Sequence, residues 1–120
     1  MDSLRLHHVA VRAADVDTTV TFYRDVLTLP VVRDERPRSV WLELCDGSLI
    51  MVEAREDGEP PIAPGSKELM ALRVSEERKA AIRELAIARS IFDGETAHTV
   101  YLRDPDGRRI GVSTYPLIDG

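Results

Sequence analysis

Cysteine is nearly missing from this chain: Cys45 is the one thiol in 120 residues. A single thiol cannot build an intramolecular disulfide framework, and it fits a reducing, cytoplasmic setting. With no histidine close to it in sequence, Cys45 is expected to be a buried structural thiol rather than a nucleophile. Long apolar runs are missing too. None approaches the roughly 20 residues that a membrane-spanning helix needs, and the opening Met-Asp-Ser-Leu-Arg-Leu-His-His has no apolar signal-peptide core. There is no excess of positive charge: 16 Lys and Arg stand against 21 Asp and Glu, for a net charge of −5. A binder of phosphate backbones carries a basic stripe. The reading therefore excludes nucleic acid and membrane as partners.

What remains is an ordinary globular balance, 43% hydrophobic and 31% charged. The length suits one domain and can bury a core without covalent staples. The most informative feature is an internal repeat. Val40-Trp-Leu-Glu-Leu-Cys-Asp-Gly-Ser-Leu-Ile-Met-Val52 lies over Val100-Tyr-Leu-Arg-Asp-Pro-Asp-Gly-Arg-Arg-Ile-Gly-Val112, with Val, Leu, Asp, Gly, Ile and Val coinciding. His8–Arg12 lies over Leu69–Arg73 in the same way. Two copies of a unit are expected, over residues 1–60 and 61–120, joined through the Pro- and Gly-rich stretch Gly58–Ser66.

Each copy reads as strand, helix, then strands. Leu4–Arg12 alternates and predicts a strand. Asp15 predicts a helix N-cap, Val16, Val20, Tyr23 and Leu27 follow at helical spacing, and Pro30 stops the helix. Val31–Arg36 predicts a polar edge strand. Val40–Leu44 and Leu49–Ala54 predict a hairpin around Asp46-Gly47. In the second copy Glu68–Val74 predicts a strand and Ser75 caps a helix to about Arg89, with Ala81, Ile82 and Leu85 inward. Asp93–Glu95 reads as a turn. His98–Arg103 and Arg109–Tyr115 form the second hairpin, around a turn, Asp104-Pro-Asp-Gly, explained by turn chemistry alone.

Strand parity separates two faces. One is wholly apolar (Val9, Val11, Leu42, Ile50 and their counterparts) and belongs beneath the helices. The other carries His8, Trp41, Glu43, Met51, Glu53, Leu69, Arg73, Tyr101, Arg103, Arg109 and Gly111. That mixture suits a concave surface that takes a small amphipathic ligand. His7, of opposite parity, is expected on the helix side.

These features resemble the vicinal oxygen chelate superfamily of glyoxalases, bleomycin- and fosfomycin-resistance proteins, epimerases and extradiol dioxygenases. Leu6-His7-His8-Val9-Ala10-Val11 is similar to its opening strand. Asp15 to Thr28, with Phe22-Tyr23-Arg24-Asp25-Val26-Leu27, is similar to its "FYrdvLG" helix end, and Asp104-Pro-Asp-Gly-Arg-Arg-Ile to its closing "DPDGxxIE" hairpin. The resemblance implies an α+β fold: two tandem βαβββ modules, a curved eight-stranded mixed sheet and two outer helices. It also implies a homodimer. The metal ligands of metal-dependent members fall here on His8, Met51, Leu69 and Gly111. Leucine and glycine have no donor, and a thioether suits hard cations poorly, so neither metal nor other cofactor is expected.

Binding of an aromatic or amphipathic small molecule follows as the expected function, through His8, Trp41, Met51, Glu53, Leu69, Tyr101, Arg103 and Gly111. Trp41 and Tyr101 either clamp the ligand or fill the floor. Glu53 either contacts ligand or pairs with Arg73 or Arg103. Arg73, Arg103 and Arg109 either bind a carboxylate or phosphate or are solvated rim charges. Two alternatives stand beside this: a metal-dependent lyase, isomerase or dioxygenase using His8, Glu43 and Glu53, and a scaffold with an occluded face.

Overall fold

The structure is a computed structural model that describes residues 3–117. The chain divides into two compact units, residues 1–60 and 61–120.

The first unit runs β1 (His8–Ala13), α1 (Val16–Asp25), β2 (Val31–Glu35), β3 (Ser39–Glu43) and β4 (Leu49–Ala54). Its strands form a four-stranded mixed sheet in the order β1-β4-β3-β2. β1 runs parallel to β4, and the other pairs are antiparallel. Parallel pairing requires a crossover, which α1 supplies. α1 lies over β3 and β4. Asp15 caps it by accepting from the Thr18 amide at 3.1 Å. Val16, Val20, Phe22, Tyr23, Val26 and Leu27 are buried, as are Val11, Val40, Leu42, Ile50 and Val52 of the sheet.

The helix ends at Asp25 rather than at Pro30. The terminator is Thr28, which takes a left-handed conformation with φ 55°. Thr28 stands where the helix-end motif has glycine, and a left-handed residue after a helix explains the glycine there. β2 is an edge strand exposed along its length, as its polar sequence suggests.

The second unit repeats the plan: β5 (Leu69–Arg73), α2 (Glu76–Ala88), β6 (Phe92–Glu95), β7 (Thr99–Arg103) and β8 (Arg109–Ser113), in the order β5-β8-β7-β6. Ser75 caps α2 by accepting from the Arg78 amide at 3.1 Å. Val100, Leu102, Ile110 and Val112 are buried beneath Ile82 and Ala86. Ser90, after α2, is left-handed at φ 59°, as Thr28 is after α1.

Several expectations are corrected. Asp93–Glu95 is not a turn but part of β6, whose pairing with β7 shifts register between Phe92 and Glu95. Gly94, at φ +95°, absorbs that irregularity. Ala86, not Ala81, completes the inward stripe of α2. Cys45 is exposed, because it sits at the end of the first hairpin beside Asp46-Gly47 and not in a strand. His7 lies before β1 and is exposed, so strand parity does not reach it.

Candidate ligand-binding faces

Strand register sets the rows on the face away from each helix. In the first sheet His8, Leu49 and Glu43 stand abreast, then Ala10, Met51 and Trp41, then Arg12, Glu53 and Ser39. Abreast residues on adjacent strands share a face. Trp41 reaches across β4, and its ring meets that of His8 edge-on with centroids 5.0 Å apart. His8 also meets His7 through their Nδ1 atoms at 2.8 Å. One Nδ1 must donate and the other accept, so the two imidazoles fix each other's tautomers.

Arg12 closes the far end of this face. It donates from Nε and Nη2 to the two carboxylate oxygens of Glu59, at 3.0 and 2.7 Å, and from Nη1 to Glu53. The fork-to-fork geometry holds the Glu59 carboxyl down to about 2, through hydrogen bonds from Arg12 first and from the Glu56 amide second. The same contacts raise the Arg12 guanidinium above its ordinary range. Glu53 thus finds a partner in its own sheet, on the adjacent strand.

In the second sheet the rows are Leu69, Arg109 and Arg103, then Ala71, Gly111 and Tyr101, then Arg73, Ser113 and Thr99. The Arg109 guanidinium lies over the Tyr101 ring, 3.8 Å from its centroid. Arg103 and Arg109 both donate from Nε to one oxygen of Asp93, at 2.9 and 3.2 Å. Arg103 spends Nη1 on the carbonyls of Ser66 and Gly107. Asp104 is buried and pairs with Arg108 at 2.6 Å, so that turn is structural.

The eight residues singled out from sequence therefore fall into two groups. His8, Trp41, Met51 and Glu53 share the first face, and Leu69, Tyr101, Arg103 and Gly111 share the second. Glu59 and Asp93, which orient the arginines, are not on that roll. Glu59 lies in the linker stretch and Asp93 in a segment that reads as a turn, so parity cannot place either.

The donor set fails to suit a divalent ion. Of the four positions onto which the resemblance carries metal ligands (His8, Met51, Leu69 and Gly111), His8 alone offers a good donor. A side chain at Gly111 would begin 3.2 Å from the Leu69 Cδ1 and 3.1 Å from the Thr99 Cγ2, so methyl groups crowd this position. Of the alternative trio, Glu53 is ion-paired to Arg12. No group of three His, Cys, Asp or Glu among the described residues could hold a metal. Among them, too, no helix is long and apolar enough to cross a membrane.

Residues 5–112 match the model of the Glyoxalase/Bleomycin resistance protein/Dioxygenase superfamily. A virulence protein of Salmonella typhimurium is 26% identical over 122 residues, covering 92% of this chain and 84% of the relative. Among solved structures, a genomically encoded fosfomycin resistance protein from Listeria monocytogenes superposes with a TM-score of 0.81 at 14% identity, covering 98% of this chain and 94% of that one. A lactoylglutathione lyase from Agrobacterium tumefaciens does so with a TM-score of 0.73 at 20% identity, covering 94% and 95%.

Proposed function

The chain belongs to the Glyoxalase/Bleomycin resistance protein/Dioxygenase superfamily, and from that premise we propose that it binds a small aromatic or amphipathic molecule without a metal, in the manner of the family's bleomycin-resistance-type binding proteins. The observation that supports this reading is hydrocarbon at positions onto which the resemblance carries metal ligands: Leu69 Cδ1 lies 3.2 Å from where a Cβ at Gly111 would begin. The same faces present half-buried Trp41 and Tyr101, each with one ring surface met by a polar side chain, His8 or Arg109. Amphipathic rings on a strand face supply contact area at little entropic cost.

The binding residues in this reading are His8, Trp41, Met51 and Glu53 on one face and Leu69, Tyr101, Arg103 and Gly111 on the other. A cytoplasmic location fits the free thiol of Cys45. The reading includes a homodimer, supported by the exposed edge strand β2, where Val31 and Val32 are 36% and 51% exposed. Light scattering is expected to give twice the chain mass of 13.4 kDa.

Trp41 is the sole tryptophan and reports on its own face. Its fluorescence is expected to quench saturably with planar amphipathic compounds, equally with and without chelator, and Met51→Ala is expected to weaken that binding. A broad panel that moves neither the fluorescence nor the melting temperature contradicts the reading.

A further inference from the structure

The guanidinium of Arg109 differs from its neighbours in having its plane fixed while its ends stay open. Tyr101 supports one surface, and Asp93 holds Nε at 3.2 Å. Among the described residues, its two terminal amino groups make no hydrogen bond, and its one ion pair is the Nε contact to Asp93. The other candidates are spent or unoriented. Arg12 is clasped by Glu59 and Glu53, Arg103 by Asp93 and two carbonyls, and Arg108 by the buried Asp104. Arg73 is exposed. A planar fork held in place with both terminal amino groups open is arranged for bidentate recognition of an oxyanion, at little cost in side-chain entropy.

The surroundings say what the rest of the ligand is. Arg109 lines a recess of about 290 Å³ together with Ile62 and Leu69, whose side chains give it an apolar wall. Leu69 is 44% exposed, so a hydrocarbon body seated on it removes apolar surface from water. Glu68 and Arg108 line the same recess; Arg108 is balanced by the buried Asp104, so Glu68 opposes a second negative charge on the ligand.

We propose that Arg109 anchors the oxyanion, a carboxylate or a singly ionised phosphonate, of a small monoanionic or zwitterionic ligand whose apolar body lies on Leu69 and Ile62. This deepens the ligand-binding reading above and rests on it.

The test is calorimetric titration of the full chain with phenyl- and naphthyl-alkanoic acids, their primary amides and their phosphonate counterparts. The acids or phosphonates bind, and the amides bind about ten- to hundredfold more weakly, the value of a charge-assisted hydrogen-bond pair. The tighter anion identifies the natural head group. Arg109→Met lowers affinity for the acids by the same factor and leaves that for the amides unchanged. Arg109→Lys, which keeps charge and loses the fork, falls between. Arg24→Met, on the exposed side of α1 beside Asp25, changes nothing. Acids and amides of equal affinity in the wild-type chain, a contrast that needs no variant, overturn the anchor and leave the ligand-binding reading standing. So does an Arg109→Met chain, folded by circular dichroism, that binds acids like wild type. No binding by any member overturns both.

Discussion

At the scale of single residues, charge is used here mainly for orientation. Arg12, Glu53 and Glu59 form one clasp, in which the linker residue Glu59 is tied to β1. The folded Glu59 carboxyl sits at about 2, against an ordinary value of 4.5, so its contribution to stability is fully present above pH 4.5. It is lost as pH falls from there toward 2. Glu59→Gln is expected to lower the melting temperature at neutral pH, and the gap to wild type should close over that acid window. Melting curves across the pH series check this, and a gap independent of pH contradicts the clasp. Cys45 is exposed, so one thiol per chain is expected to react with an aromatic disulfide reagent without denaturant. The general habit of cysteine favours burial, but it says nothing of a residue at the tip of a hairpin.

At the scale of elements, the two helices and the strand pairs at the centre of each sheet were legible, because caps, period and turn chemistry agree there. Asp15 and Ser75 cap as their positions imply. Asp15→Ala is expected to cost about 0.5–2 kcal/mol, and Leu42→Ala, which empties a fully buried site in β3, about 2–5 kcal/mol. The end of α1 was less legible. Pro30 is the visible stop signal, yet the chain turns at Thr28, whose β-branched side chain is held at φ 55°. Thr28→Gly is expected to raise stability by about 1 kcal/mol, since glycine has no Cβ to clash there. Denaturant midpoints check all three. β6 was illegible as a strand because Asp93-Gly94 has the composition of a turn, and only the pairing with β7 overrides it. Edge strands with bulges carry little periodic signal of their own.

At the scale of the whole molecule, the repeat made the architecture readable. It assigned faces by parity, and the register of both sheets follows that assignment. It also gave the faces' residue lists. What it could not give is which side chains are already satisfied. Glu53 and Arg103 are both committed to protein partners, while Arg109 keeps an open fork, and these states depend on Glu59 and Asp93, which lie outside the repeat's aligned strands. The family's fold thus carries leucine and glycine at two positions onto which the resemblance places metal ligands, and the proposed function is ligand binding that owes nothing to a divalent ion. The most direct measurement is calorimetric titration of untagged protein with the aryl acids, once after exhaustive chelation and once with added zinc, nickel or manganese, with metal content measured on the same samples. The account predicts saturable binding with the same Kd in every condition and no stoichiometric metal. Binding that appears only with metal, or about one ion per chain that leaves with His8→Ala, contradicts it.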